Sequence, residues 1–169
     1  MEYKNRKKNR LENYGYKNKG AYFLTICTKD KKHIFWQNNE TRVGADIIRP
    51  NDEIKLSYEG EVVKFAIENI KTIYNNISVN HYVIMPNHIH IILEIKNDCD
   101  GRMISAPTRS VVIGQMKRYC SKIIGRPIWQ KSFYDHIIRN DADYLEKANY
   151  ILTNPHKWSD DEYYTKDEV

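Results

Sequence analysis

His88 and His90 stand one residue apart in HYVIMPNHIHIILEI, residues 81–95, the most apolar run of the chain. Alternate residues of a strand share a face, so His88, His90, Ile92 and Glu94 point one way and Ile89, Ile91, Leu93 and Ile95 the other. The second set is a core face. The first holds two imidazoles about 7 Å apart at Cβ, close enough to converge on one metal ion. The plain alternative is a pair of partly exposed histidines on the solvated side of a sheet. Glu94 shares their face, and His88-x-His90-x3-Glu94 partly matches a cupin metal motif. Tyr82 occupies the position where a cupin has glycine, however, and the helical segments of this chain do not suit an all-β fold. Isoleucine at position 92 excludes an HxHxD site.

A second set of reactive groups lies in NDADYLEKANYILTN, residues 140–154. The pattern predicts a helix capped by Asn140 or Asp141 and stopped by Pro155. Tyr144, Leu145, Ala148, Ile151 and Leu152 form one stripe, the expected core face. Tyr150 lies nearly opposite, with Asn154 one turn on and Lys147 close by. A tyrosine beside an amide and an ammonium has the makings of a nucleophile with a metal ligand and a phosphate-binding cation. An ordinary surface tyrosine is the alternative in a chain that has 13 of them. Together with the histidines, these groups suit phosphodiester cleavage. A metal polarises the phosphoryl group, and the phenol attacks in line to form a covalent phosphotyrosine. The phenol's ordinary pKa is about 10, so it needs a proton acceptor; none stands out in the sequence.

The remaining segments must position these residues. GAYFLTICT (20–28) reads as a strand, and KKHIFW, ending at Trp36, as a short one. LSYEGEVVKFAIENIKTIY (56–74) carries apolar residues at helical spacing behind a Ser57 cap. Pro86 and Asn87 divide the histidine run into pieces at 80–85 and 88–95. SVVIGQMKRYCSKIIG (110–125) reads as a basic amphipathic helix closed by Gly125, and 128–139 as extended. The order strand, helix, strands, helix, strand, helix predicts an α+β fold with a mostly antiparallel sheet and flanking helices.

The chain has 169 residues, enough for one domain with a core. No apolar run approaches the roughly 18 residues of a membrane span, and the charged N-terminus does not read as a signal peptide, so the cytoplasm is the expected location and no membrane partner is expected. Cys27, Cys99 and Cys120 show no CxxC spacing and read as ordinary thiols. The net charge is +5. Residues 1–20 alone carry that surplus, in a basic arm interleaved with Tyr3, Tyr14 and Tyr16 that suits phosphate contacts and base stacking, or is simply a solvated terminus. The organisation expected is a basic arm over 1–19, a domain over 20–158 and an acidic tail over 159–169.

NHIHIILEI, with GAYFLTICT, YVIMPNHIHIIL, WQKSFYDHIIRND and YILTNPHKW in that order, resembles the REP-associated tyrosine transposases, relatives of the single-strand transposases of insertion sequences that carry the HUH motif. The resemblance runs from about residue 9 to residue 158. It implies a ferredoxin-like or RNA-recognition-like sheet with flanking helices, and a metal-dependent endonuclease and strand transferase acting on single-stranded, hairpin-containing DNA. The metal ligands fall on His88, His90 and Asn154, the nucleophile on Tyr150, and the implied cofactor is Mg²⁺ or Mn²⁺. Tyr134 and Tyr144 are the competing nucleophiles. The cations expected to meet DNA are Lys7, Lys8, Arg10, Lys17 and Lys19 of the arm, Lys117 and Arg118 of the basic helix, and Lys147. A monomer is expected, with a homodimer the alternative. The competing function is a non-cleaving single-stranded nucleic-acid-binding module.

Overall fold

Alternation in GAYFLTIC makes a strand with two unlike faces, and the computed structural model shows both of them covered. The structure describes residues 20–37, 54–96 and 108–165. The arm cations Lys7, Lys8, Arg10, Lys17 and Lys19 lie outside the described residues. β1 (Gly20–Cys27), β2 (Ile77–Ile84), β3 (His88–Ile95) and β4 (Tyr134–Ile138) form one sheet in the order β2-β3-β1-β4. Every neighbouring pair is antiparallel. With α1 (Tyr58–Glu68) and the one-turn α2 (Ile70–Ile73) between β1 and β2, and α3 (Arg109–Ile124) between β3 and β4, this is the expected ferredoxin-like α+β plan. Met85, Pro86 and Asn87 turn the chain between β2 and β3, so the bent histidine run is a hairpin of two strands.

One sheet face carries most of the core. Tyr22, Leu24 and Ile26 of β1 and Ile89, Ile91, Leu93 and Ile95 of β3 are buried there against Val63 and Ile67 of α1 and Val112 and Met116 of α3. Burying each large aliphatic side chain stabilises the fold by about 1.5–3 kcal/mol. The helix ends follow the expected chemistry. Ser57 Oγ accepts from the Gly60 amide at 3.1 Å, and Gly125 closes α3 in the left-handed conformation, φ 81°. Arg109 at the start of α3 is buried, lies over the Tyr22 ring and pairs with Asp135 of β4 through Nε at 2.7 Å. Cys27 and Cys120 are buried free thiols.

The other face is narrower. Phe23 of β1 and Ile92 of β3 meet Ala148 and Ile151 of α4 (Asp141–Thr153). Asn140 caps this helix by accepting from the Asp143 amide at 2.9 Å. The expected core stripe is corrected here. Leu145 and Leu152 are 61% and 63% exposed, while Tyr150, placed opposite the core by the periodicity, is half-buried against Phe23 and His90. Ala21, Val83 and Ile138 of the sheet border this cluster, and Tyr144 and Tyr150 of α4 pack at its edge, so α4 turns Tyr150 inward. Pro155 cannot continue the helix, and the chain tightens into a 3₁₀ turn, Asn154–Asp160.

Two extended segments are shorter than expected. The stretch ending at Trp36 makes an isolated bridge to Leu56 rather than a strand, because the Ile34 and Phe35 amides both bond the Pro86 carbonyl. Of residues 128–139 only Tyr134–Ile138 pairs as a strand. No helix among the described residues is long and apolar enough to cross a membrane.

Candidate active site

His88 and His90 are 0% and 1% exposed, so neither is a solvated surface histidine. Their Nε2 atoms face each other at 2.9 Å. The groups behind them set the tautomers. Asn87 Nδ2 donates to the Tyr163 carbonyl at 2.9 Å, which turns Asn87 Oδ1 toward His88 Nδ1, 2.8 Å away. His88 therefore carries its proton on Nδ1 and directs the Nε2 lone pair inward. Thr25, directly opposite His90 in the β1–β3 register, sets its Oγ1 2.9 Å from His90 Nδ1. Two imidazoles fixed from behind, with their outer nitrogens turned on one point, match the usual support of metal-ligating histidines.

Asp161 completes the cluster. Its Oδ2 lies 3.9 Å from His88 Nε2 and 4.0 Å from His90 Nε2, and the three residues offer ligand atoms all within 4.8 Å of one another. The Tyr150 hydroxyl donates to that same Oδ2 at 3.0 Å, and the Tyr163 amide donates to Oδ1 at 2.7 Å. Asn154 is buried beside them. Its side chain lies within hydrogen-bonding reach of both Tyr150 and Asp161 and favours the charged form of each. Two neutral imidazoles and an ionised carboxylate fit a hard or borderline divalent cation.

The electrostatics follow from burial. Burial, then His90, lowers the His88 pKa from 6.5 to about 3; burial lowers His90 as well. Burial alone would raise the Asp161 carboxyl, but His90, His88, the Tyr163 amide and Asn154 outweigh it and hold the group below the usual carboxylate range. Burial, then the charge of Asp161 and the hydrogen bond to it, pushes the Tyr150 phenol above its ordinary value. The resting site thus holds two neutral imidazoles, a carboxylate and a protonated phenol.

A pH dependence follows for the metal-free protein. Below the ordinary histidine value of 6.5 the unfolded chain takes up protons that folded His88 refuses until about pH 3. Stability is therefore complete above about pH 6.5 and falls as pH drops below it, by about 1.4 kcal/mol per pH unit for His88, with a loss of the same sign from His90. Asp161, held low in the folded state, adds a loss of the same sign once the pH falls below its unfolded value of 3.8. Urea midpoints in the presence of a chelator should drop between about pH 8 and about pH 5, above the carboxylate range. Equal midpoints would contradict this electrostatic picture.

A cavity of about 640 Å³ opens beside the cluster, lined by Phe23, Tyr134, His136, Lys147, Tyr150 and Lys157 among others. The structure brings together His88, His90, Tyr150 and Asn154, and sets Lys147 on the cavity wall, paired with Glu146 at 2.7 Å. Other residues singled out in the sequence fall elsewhere. Lys117 and Arg118 belong to α3, on the opposite face of the sheet. Lys117 Nζ donates to the Gln130 and Ser132 carbonyls, each at 2.9 Å, and burial lowers its pKa to about 8. Glu94 bonds Ser78 and Asn80 at the far end of β3. Tyr144 packs against His81. Asp161, Asn87 and Thr25 were not among the residues expected in the site. Asp161 sits in the stretch that read as an acidic tail, and the only sequence signal for it was an acidic residue beside Tyr163 and Tyr164 shortly after the Asn-Pro step.

Fold and cluster define a class of protein: a ferredoxin-like sheet in which a buried histidine pair on an inner strand meets a helix-borne tyrosine. An uncharacterised protein of Haemophilus influenzae is 32% identical over 174 aligned positions, covering 92% of this chain and 91% of that one. A REP-associated tyrosine transposase of Escherichia coli is 29% identical over 105 positions, covering 61% of this chain and 59% of the relative. A solved REP-associated tyrosine transposase bound to a REP hairpin shares the fold, with a TM-score of 0.56 at 22% identity over 88% of this chain and 74% of that one. No protein-family model matches the chain. The chain is thus similar to REP-associated tyrosine transposases in sequence, at 25–29% identity, and shares its fold with a solved one.

Proposed function

We propose that this protein is a metal-dependent tyrosine endonuclease and strand transferase that cuts and rejoins single-stranded, hairpin-containing DNA through a 5′-phosphotyrosine. One observation carries the reading: the Tyr150 hydroxyl rests on the same Asp161 oxygen that lies about 4 Å from both histidine Nε2 atoms. A nucleophile and a ligand cluster therefore share one point.

His88 and His90 would hold the metal, with Asp161 and Asn154 in reach of it; Mg²⁺ or Mn²⁺ is the ion this reading takes. When bound, it supplies Lewis-acid polarisation of the phosphoryl group and neutralises developing charge. The chain supplies the rest. Lys147 and Lys157 on the cavity wall offer positive charge to the DNA backbone. Tyr150 Oη attacks phosphorus and the bond to the 3′ oxygen breaks, leaving the 5′ phosphate on the tyrosine. The phenolic proton leaves along the existing hydrogen bond to Asp161, and the departing 3′ oxygen takes up a proton. Attack by a 3′ hydroxyl on the phosphotyrosine reverses these steps and rejoins the strand. The four groups come from one chain, which supports action as a monomer.

The test is a hairpin oligonucleotide incubated with the protein and Mn²⁺. A denaturant-stable protein–DNA adduct, mapped to Tyr150 by mass spectrometry and absent with chelator, is the expected result. Binding without any adduct would replace this reading with a non-cleaving single-stranded nucleic-acid module.

A further inference from the structure

Strand register places one exposed aromatic ring in line with the site. Thr25 pairs with His90 on β3 and with Tyr134 on β4, so His90, Thr25 and Tyr134 form one row across three strands. Directly paired residues point to the same side of a sheet. Neighbouring strands lie about 4.8 Å apart, which puts the Tyr134 backbone about 10 Å from that of His90. The next row, Ile92, Phe23 and His136, continues the same surface.

Tyr134 is unlike its neighbours in that row. His90 and Thr25 are 1% and 2% exposed, whereas Tyr134 is 53% exposed. It stands on edge strand β4 and lines the same cavity as Tyr150, Lys147 and Lys157. Its hydroxyl makes no hydrogen bond to any described residue. A half-exposed ring on a strand, lining one cavity with two lysines, has the make-up of a single-strand stacking platform: aromatic for the base, cationic for the backbone.

We propose that Tyr134 stacks on a nucleobase next to the phosphate that Tyr150 attacks, making the cavity between β4 and α4 a nucleotide subsite. This rests on the nuclease reading for its position, but its test needs no cleavage. The probes are a fluorescein-labelled oligo(dT) of about 15 nucleotides and an abasic strand of equal length, titrated by anisotropy in EDTA so that no strand is cut. Tyr134→Leu should weaken oligo(dT) binding about tenfold and abasic-strand binding less than about twofold, whereas Tyr134→Phe and Tyr134→Trp should bind oligo(dT) like the wild type. Unchanged oligo(dT) affinity in Tyr134→Leu, or equal loss on both probes, would overturn the subsite. So would Tyr134→Phe behaving like Tyr134→Leu, because that effect belongs to the hydroxyl. The exposed position makes all three variants compatible with folding, and equal melting temperatures verify it. If the wild type forms no Tyr150 adduct while the base-dependent loss persists, the nuclease reading fails and the stacking site stands. If oligo(dT) does not bind at all, the stacking subsite fails, while the hairpin-adduct experiment decides the nuclease reading separately.

Discussion

Tyr150→Phe is expected to abolish the covalent adduct and to lower hairpin cleavage by about ten-thousand-fold, while DNA affinity changes by less than about threefold. The substitution removes one oxygen. The ring remains edge-on to His90, with centroids 5.1 Å apart, and near Phe23 at 5.9 Å. Asp161 loses a donor but keeps the Tyr163 amide, so the stability cost is that of one hydrogen bond, about 1 kcal/mol. Binding rests mainly on lysine and arginine contacts to phosphate, which this change leaves alone. An adduct that survives in Tyr150→Phe would transfer the nucleophile to another phenol. Tyr134 would be the first to examine, since it lines the same cavity.

The second large effect concerns the histidines. His88→Ala and His90→Ala should each weaken Mn²⁺ binding by about a hundredfold or more, and Asn87→Ala by about tenfold or more, because Asn87 fixes the His88 tautomer. The readout is metal-dependent stability. Mn²⁺ at a hundred times its dissociation constant should stabilise the wild-type fold by about 2.7 kcal/mol, and the same concentration should add little to either histidine variant. A merely structural role makes the opposite forecast: both variants would lose stability without metal and still gain the full Mn²⁺ increment. That outcome would dismiss the metal site.

Much of this arrangement was legible from local rules. Alternation in HIHIILEI put the imidazoles on one face and the aliphatics on the other, and strand β3 is built that way. Tyr150 and Asn154 share a helix turn, so their proximity followed from spacing alone. The orientation of that helix did not. Leu145 and Leu152 fit an apolar stripe, yet both are exposed, because the sheet surface available to α4 selects Ala148 and Ile151 instead. Lys117 read as one of several cations on a basic helix, but the Gln130 and Ser132 carbonyls claim it, a tertiary contact that composition does not encode. Asp161 was hidden for the same reason: in sequence it is one acid among several near the C-terminus, and only the turn after Pro155 carries it back to the histidines.

The sheet acts as a partition. Most of the apolar mass, against α1 and α3, lies on one side of it, and the reactive cluster on the other, with β1 and β3 as the shared wall. Substitutions behind that wall, at Ile67 or Met116, should register as altered heat resistance with turnover largely preserved, while those in front, at Thr25 or Asn154, should do the reverse. A lineage can therefore drift in thermal tolerance without drifting in chemistry, or lose its chemistry and remain a sound fold.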